Sequence, residues 1–144
     1  MSPKVLFVCV ENACRSQMAE GLFNKLAPKG WRALSAGTMP ATQVNPNAIK
    51  VMKEIGIDIS RRKPKLLQYK MIQAADQVIT MGCLVKDVCP AVFVDKVEDW
   101  NIEDPAGKPI EKFREVRDEI RKKVEELIQR IKQSDENEVK SDQC

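Results

Sequence analysis

The sequence predicts an α/β fold in which helices cover both faces of a parallel sheet. Short apolar runs that are typical of buried strands alternate with longer segments whose apolar residues recur at helical spacing. This alternation indicates parallel strands joined by right-handed helical crossovers, which arrange the chain in three α/β/α layers. In such sheets, ligands bind beyond the carboxyl ends of the strands.

The first half of the chain contains two predicted strands and two predicted helices. Residues 4–10, KVLFVCV, form a continuous apolar run of the kind found in strands buried on both faces. A helix is predicted over residues 15–27, where apolar residues share one face. Residues 31–37, WRALSAG, form the second predicted strand. The second helix is predicted over residues 45–56, with a proline near its start and a glycine at its end.

The second half supplies the remaining elements of the predicted four-stranded sheet. A short helix is predicted over residues 66–75, and strands are predicted over residues 77–81 and 91–95. The last helix is predicted over residues 110–132, because its apolar residues follow one stripe. That stripe consists of Phe113, Val116, Ile120, Val124, Leu127, Ile128 and Ile131.

Length and charge place these elements in one small domain. The chain has 144 residues, enough for one core. We expect a single catalytic domain over residues 1–132 and a polar, disordered tail over residues 133–144. The net charge is +3, and the tail is acidic, so the rest of the chain is mildly cationic. This balance suits a small anionic substrate and lacks the dense basic stripe of a nucleic-acid-binding protein.

The apolar runs are short, which bears on where the protein works. None reaches the length of about 18 residues that a membrane-spanning helix needs. The N-terminal run gives way to polar residues too early for a secretory signal. We therefore expect a cytoplasmic monomer that binds neither membranes nor nucleic acids.

Cysteine and histidine usage restricts the available chemistry. The chain has five cysteines and no histidine. An odd number of cysteines in a cytoplasmic protein argues against a disulfide framework and leaves reactive thiols as an option. Without histidine, Cys–His nucleophile pairs, histidine general bases and most histidine metal sites are excluded. Any chemistry must therefore use thiols, carboxylates and backbone amides.

The loop between the first strand and the first helix has the composition of an anion site. Cys9 ends the strand and Arg15 begins the helix, whose first amides lack intrahelical partners and carry the positive end of its dipole. This field favours the thiolate form of Cys9, to which Ser16 can donate a hydrogen bond. A tetrahedral oxyanion can bind to the loop through Val10, Glu11, Asn12, Ala13, Cys14 and Arg15. The alternative is that Cys9 is a small buried residue and Arg15 a solvated one.

The segment VCVENACRSQMAEGLF resembles the phosphate-binding loop of the low-molecular-weight protein tyrosine phosphatase superfamily. Within it, RSQMAE is especially similar to the thioredoxin-coupled arsenate reductases. The resemblance continues through SAGT, VNPNAI, IGIDIS and DWNIEDPAGKPIEKFREVRDEI, and it covers most of residues 4–130. It implies a four-stranded parallel sheet of the low-molecular-weight phosphotyrosine phosphatase-like fold. Family loops often have glycine where Glu11 stands and serine or threonine where Ala13 stands, and we expect Glu11 to point away from the anion.

The resemblance implies that Asp104 is the general acid that protonates the departing oxygen. Pro105 keeps Asp104 extended and outside the following helix. The alternative role for Asp104 is a helix cap. Tyrosine phosphatases of the superfamily usually carry aromatic residues after the Asp-Pro pair, whereas this chain has Ala106, Gly107 and Lys108. A slot without aromatic walls has little to grip a phosphotyrosine side chain, whereas a small inorganic oxyanion needs no such walls.

Two further cysteines, Cys83 and Cys89, follow the third predicted strand, at the end of the sheet where Cys9 is expected. Reduction of a substrate needs two electrons, which a dithiol supplies by becoming a disulfide. The resemblance implies that Cys9 attacks arsenate, that Cys83 then forms a disulfide with Cys9, and that Cys89 takes this disulfide over. A thioredoxin-like protein then reduces the Cys83–Cys89 pair, and no other cofactor is needed.

The transfer of the disulfide from Cys9–Cys83 to Cys83–Cys89, here called the relay, requires Cys83 and Cys89 to come close together. In an intact helix the two cysteines would be separated by about 9 Å of rise. A disulfide needs Cα atoms no more than about 6.8 Å apart. We therefore expect this segment to unwind on oxidation.

Other readings of these residues stay open. The first is a small phosphatase that hydrolyses phosphomonoesters through a phosphocysteine at Cys9. The second is a non-catalytic module that binds an oxyanion or a metal. A zinc site built from Cys9, Cys14, Cys83 and Cys89 belongs to this reading, although their spacing does not match the usual metal knuckles. The last is that Cys83 and Cys89 are unrelated, partly buried thiols.

The basic run RRKPK, residues 61–65, is expected to be a solvated surface loop or a patch that steers the substrate or the redox partner. Some arsenate reductases of the family carry a potassium site built partly from residues in this region. Asn12, Glu20 and Ser35 match other parts of it, but Lys63 and Lys65 argue against it. We therefore expect no metal, with Lys65 supplying the positive charge instead.

Overall fold

The computed structural model of the chain describes residues 3–82 and 96–142, with side chains as far as residue 134. Strands and helices alternate in this part of the chain, as the sequence predicts. In chain order the elements are β1 (Lys4–Cys9), α1 (Arg15–Leu26), β2 (Arg32–Gly37), α2 (Pro46–Glu54), α3 (Tyr69–Ala74), β3 (Gln77–Thr80), β4 (Val97–Asp99) and α4 (Ile110–Asp142).

The four strands form one parallel sheet in the order β2-β1-β3-β4. Val5 of β1 is opposite Ala33 of β2 on one side and Gln77 of β3 on the other. The strand that follows β1 in the chain, β2, lies on one side of β1, and the next strand, β3, lies on its other side. The direction in which strands are added to the sheet therefore reverses at β1. In doubly wound sheets this reversal opens a crevice at the carboxyl ends of the strands, and Cys9 stands at that end.

Helices cover both faces of the sheet. Val5 and Phe7 belong to a core shared with α1, α2 and α4, whereas Leu6 and Val8 pack on the other face with Ile72 of α3. β1 is thus buried on both sides, which explains its continuous apolar run. The three-layer arrangement predicted from the sequence is confirmed.

The fourth strand, β4, covers residues 97–99, which the sequence did not predict to be a strand. Residues 97–99 are largely polar and only partly buried, as befits a short strand at the edge of the sheet, so they carry no apolar signal. The strand predicted over residues 91–95 lies outside the described residues. α3 begins later than predicted because Leu66 first pairs with Gly37 at the edge of the sheet.

α4 is longer than predicted. It continues to Asp142 instead of ending at residue 132, so the helix extends into the segment 133–144 for which the sequence predicts a polar tail. The segment contains no glycine or proline, and nothing in it stops a helix. Neither α4 nor any other helix in the described ranges combines the length and apolar character needed to cross a bilayer.

Candidate active site

Residues 10–14 form the loop that joins β1 to α1, and its carbonyl groups face outward. The carbonyls of Val10, Glu11 and Ala13 accept hydrogen bonds of 2.8–2.9 Å from the backbone N–H groups of Met39, Ala41 and Asn45. Gly37 allows this close contact, since a Cβ atom there would lie 2.6 Å from the Val10 carbonyl oxygen. The segment after β2 therefore holds the loop from outside.

The loop amides are left for a ligand. No backbone N–H of residues 11–14 donates to an acceptor within residues 3–82 and 96–142. Because the carbonyls are turned outward, these amides face the opposite side, next to the amino end of α1. They border a pocket lined by Cys9, Glu11, Ala13, Cys14, Arg15 and Asp104. Such a ring of free N–H groups binds a tetrahedral oxyanion.

Asn12 fixes the shape of the loop. Its φ of 53° is in the left-handed region, which asparagine tolerates better than most residues. Its buried side-chain oxygen accepts hydrogen bonds from the backbone N–H of Lys65 at 2.9 Å and from Nε2 of Gln17 at 3.0 Å. The N–H of Lys65 can only donate, so the amide orientation is determined. Nδ2 of Asn12 therefore faces Ser16, to whose Oγ it donates at 2.7 Å.

Ser16 passes this hydrogen bond on to Cys9. Its Oγ lies 2.9 Å from the Cys9 sulfur, and both side chains are buried. Because Oγ already accepts a hydrogen bond from Asn12, its own proton is free to point at the sulfur. The chain of hydrogen bonds from Asn12 through Ser16 thus ends at the Cys9 sulfur, and the Ser16 hydroxyl can donate to it.

Arg15 connects the loop to two other parts of the site. Its Nη1 donates to the carbonyls of Met81 at 2.5 Å and Ile102 at 2.9 Å, although its side chain is almost fully buried. Its Nη2 lies 3.8 Å from Oδ2 of Asp104. The guanidinium therefore lines the pocket while holding the end of β3 and the segment before Asp104 in place.

Asp104 faces the pocket from an exposed turn. Its carboxylate is 47% exposed, and Oδ1 accepts a hydrogen bond from the backbone N–H of Ala106 at 3.0 Å. α4 begins only at Ile110, so Asp104 does not cap that helix. The helix-cap alternative is thereby excluded, and the carboxyl group can reach a ligand from the side opposite the loop.

Cys14 lines the same pocket without sharing the role of Cys9. Burial, together with the negative charges of Asp104 and Cys9, raises the pKa of Cys14 to about 12. The side chain therefore stays a neutral thiol in neutral solution. Its backbone N–H donates to no acceptor in the described part of the chain, and its predicted role in anion binding stays a prediction.

Glu11 lies closer to the pocket than expected. It is exposed and is among the residues that line the pocket mouth. Its charge also contributes to the raised pKa of Cys14. Solvent at the mouth screens this charge, so Glu11 weakens anion binding less than a buried carboxylate would.

A buried carboxylate behind the loop is neutralised by side chains. Glu20 is 2% exposed, accepts a hydrogen bond from Ser35 at 3.3 Å and forms an ion pair with Arg62. Nζ of Lys65 lies 4.0 Å from its other oxygen. Lys65 thus lies within ion-pair distance of Glu20, but Arg62, whose role was not predicted, makes the closer contact. No group of metal-ligating side chains occurs among the residues described.

The predicted second and third thiols, Cys83 and Cys89, lie outside the described residues, and the expected unwinding of residues 83–89 stays a prediction. Gly82, the residue before Cys83, contacts Arg15: a Cβ atom on it would lie 2.8 Å from Nη1.

The fold and the site together define a class of enzyme. A buried cysteine sulfur stands at the carboxyl end of a parallel sheet, beside the loop amides, with an arginine and a carboxyl group at the same pocket. This arrangement suits transfer chemistry on a tetrahedral oxyanion, in which the thiolate attacks and the acid protonates the leaving oxygen.

The chain belongs to the low molecular weight phosphotyrosine protein phosphatase family, whose sequence model matches residues 4–137. It is 42% identical to arsenate reductase 2 of Staphylococcus haemolyticus (strain JCSC1435) over 122 residues, which cover 84% of this chain and 92% of that one. The resemblance stated from the sequence is confirmed.

Solved structures share the fold. An arsenate reductase in the phosphate binding state has a TM-score of 0.80 and 40% identity, covering 90% of this chain and 98% of that one. The YwlE arginine phosphatase from Geobacillus stearothermophilus has a TM-score of 0.84 and 29% identity, covering 92% and 94% of the two chains. The low-molecular-weight phosphatase-like fold is therefore common to reductases and phosphatases.

Proposed function

We propose that this chain is a thiol-dependent arsenate reductase that acts in the cytoplasm. The observation that carries the proposal is the hydrogen-bonded chain from Asn12 through Ser16 to the Cys9 sulfur, set within a ring of free amides. The 42% identity to an arsenate reductase over most of the chain supports arsenate as the oxyanion.

The first step uses only residues that line the pocket or support it. The Cys9 thiolate attacks arsenic while the loop amides and Arg15 hold the arsenate oxygens. An arsenic–oxygen bond breaks, and Asp104 protonates the departing oxygen so that it leaves as water. The product is a Cys9 thiolate ester of arsenic(V), and the arsenic has not yet been reduced.

The second step transfers two electrons. The Cys83 thiolate attacks the Cys9 sulfur, the sulfur–arsenic bond breaks, and its electron pair stays on arsenic, which leaves as arsenite. A Cys9–Cys83 disulfide forms. Cys89 then attacks Cys83, which frees Cys9 as a thiolate and leaves a Cys83–Cys89 disulfide. A thioredoxin-like protein supplies the two electrons that reduce it.

The pocket favours a small substrate. None of the described residues that line it is aromatic, and the turn after Asp104 consists of Pro105, Ala106, Gly107 and Lys108. The ammonium group of Lys108 forms an ion pair with Glu103. A phenol ring would find no aromatic side chain to stack on in this turn, whereas an inorganic oxyanion needs only the amides and Arg15.

A second candidate activity is weak phosphomonoester hydrolysis. It requires a thiolate, an anion cradle and an acid, and the described site contains all three in Cys9, the loop amides and Asp104. The arginine phosphatase that shares the fold supports this candidate. Water would release the phosphate from Cys9, so this activity does not involve Cys83 or Cys89.

A multiple-turnover assay tests the proposal. Arsenate, thioredoxin, thioredoxin reductase and NADPH are mixed with the protein, and arsenite formation is measured beside NADPH oxidation. We expect turnover in the parent and none in Cys9→Ser. Glutathione with glutaredoxin in place of thioredoxin identifies the reductant. Hydrolysis of p-nitrophenyl phosphate without arsenite formation in either system would favour the phosphatase, and the absence of both activities would favour an anion-binding module.

A further inference from the structure

Two acidic residues, Asp104 and Glu11, border the oxyanion pocket. The carboxylate of Asp104 lies 3.8 Å from Nη2 of Arg15 and accepts a hydrogen bond from the backbone N–H of Ala106. The side chain of Glu11, in contrast, forms neither a hydrogen bond nor an ion pair with any described residue. An unpaired negative charge at the mouth of an anion site opposes the binding of an anion, unless the anion brings a proton that the carboxylate can accept.

The backbone holds Glu11 at the rim of the pocket. Its carbonyl accepts a hydrogen bond of 2.9 Å from the N–H of Ala41, and the next residue, Asn12, is fixed by the N–H of Lys65. The Glu11 side chain is exposed, yet its charge acts on the buried thiol of Cys14, whose pKa it helps to raise. A charge that acts on Cys14 from the rim also acts on an anion bound in the same pocket.

We propose that Glu11 is a specificity-determining residue, which selects oxyanions that carry a proton and rejects those that carry none. The inference rests on the proposed function for the identity of the substrate, arsenate. An ionised carboxylate accepts hydrogen bonds but cannot donate one. Glu11 therefore accepts from a hydroxyl group of arsenate or phosphate, whereas on sulfate it meets only oxygens that are acceptors themselves.

The competing anions differ in protonation more than in shape. Arsenate and phosphate keep at least one hydroxyl group in neutral and mildly alkaline solution, whereas sulfate keeps none. All three are tetrahedral, so the loop amides and Arg15 can hold each of them in the same way. A site that pairs with a hydroxyl group rejects the analogue that lacks it, because a charged acceptor then faces another acceptor. Glu11 thus keeps sulfate out of a pocket whose amides alone would bind it.

Phosphate and sulfate are the probes, because thiols reduce neither of them. Their dissociation constants are measured by titration calorimetry with the reduced protein in mildly alkaline solution, where both anions carry two negative charges and only phosphate has a proton. Glu11→Gln replaces the carboxylate by an amide, which can donate to a bare oxygen or accept from a hydroxyl group. Glu119→Gln is the control, since it removes an exposed carboxylate of α4 that does not line the pocket.

We expect the parent to bind phosphate about tenfold more tightly than sulfate. Glu11→Gln should bind sulfate about tenfold more tightly than the parent does, while its affinity for phosphate stays within about threefold. Glu119→Gln should match the parent for both anions.

Equal gains for both anions in Glu11→Gln would show that Glu11 acts by its charge alone and would overturn the selection of protonated anions. A parent that binds the two anions equally tightly, or binds neither, would overturn it as well. The turnover assay with arsenate separates this failure from that of the proposed function: a parent that prefers phosphate to sulfate but forms no arsenite overturns the reductase and leaves the selectivity of the pocket in place.

Discussion

The Ser16 hydroxyl oxygen lies 2.9 Å from the Cys9 sulfur, and Asn12 holds the Ser16 side chain in this position. Asn12 donates to that oxygen and is itself fixed by the backbone N–H of Lys65. The segment that contains the basic run thus helps to direct a proton toward the nucleophile. A loop, a helix and a distant segment of chain combine to place a hydroxyl group beside this sulfur.

Replacing Ser16 by alanine tests this relationship. The variant removes the donor nearest to the sulfur, and a hydrogen bond to a charged group contributes enough to change a rate about tenfold or more. We expect alkylation of Cys9 by iodoacetamide in neutral solution to slow by about that factor, measured by mass spectrometry of the Cys9 peptide. Ser35→Ala is the control, since Ser35 is equally buried but bonds to Glu20. Equal rates in Ser16→Ala and the parent would exclude the hydroxyl as a thiolate donor.

The sequence was sufficient to predict the loop and the strand before it, for physical reasons. β1 is buried on both faces, so its apolar run is unambiguous, and the Cys-to-Arg spacing follows from a loop closing on a helix. The role of Arg62 could not be predicted in the same way. It depends on a contact with Glu20 between residues far apart in the chain, and one arginine within a basic run carries no distinguishing signal.

The edge of the sheet shows a similar limit. β4 is short and partly exposed, and its partner β3 provides the backbone hydrogen bonds that define it. Such a strand is specified by its neighbour more than by its own residues. The contact of Asp99 with Gly82 was equally invisible, because it depends on the two strands ending side by side.

Asp104→Asn should affect catalysis more than binding. The amide cannot donate a proton to the departing oxygen, and a positioned acid contributes about 10²–10⁴-fold. We expect kcat to fall within that range for both arsenate and p-nitrophenyl phosphate, with KM nearly unchanged. Glu103→Gln is the control, because this neighbouring carboxylate is equally exposed and pairs with Lys108 and Lys112 instead of Arg15. A rise in KM with an unchanged kcat would show that Asp104 only binds substrate.

Gly82→Ala should weaken anion binding through Arg15. The new Cβ atom would lie 2.8 Å from Nη1, so the guanidinium must move, and the left-handed backbone adds about 1–2 kcal/mol of strain. We expect a higher KM for p-nitrophenyl phosphate and a lower free energy of unfolding in urea. Gly30→Ala is the control: φ at Gly30 is +95°, yet nothing lies within 4 Å of an added Cβ. If the two variants raised KM equally, the effect could not be assigned to Arg15.

The ion pairs of Glu54 of α2 with Arg114 and Arg117 of α4 should make the free energy of unfolding depend on pH in acidic solution. Hydrogen bonds from Arg114 and Arg117, the first being the stronger effect, lower the pKa of Glu54 from 4.5 to about 2. A carboxyl whose pKa is lower in the folded state stabilises the fold above pH 4.5, and this contribution is lost as the pH falls toward about 2. Glu54→Gln should therefore be less stable than the parent in neutral solution.

Urea unfolding at a series of pH values measures this contribution. The difference in stability between the parent and Glu54→Gln should shrink below about pH 4.5 and nearly vanish toward pH 2. Glu119→Gln, which removes one carboxylate from the exposed side of α4, controls for the change in net charge. A difference that stayed constant across this range would show that the ion pairs with Arg114 and Arg117 do not stabilise the fold.

The Cys83→Ser variant tests the electron relay most directly, with arsenite formation and p-nitrophenyl phosphate hydrolysis measured in the same preparation. The relay predicts that thioredoxin-dependent arsenite formation is abolished while ester hydrolysis continues at the parental rate. The control is Cys144→Ser, which removes the last cysteine of the chain, to which the relay gives no role, and it should retain both activities. Arsenite formation at the parental rate in Cys83→Ser would contradict the relay, because Cys9 would then need no second thiol at position 83.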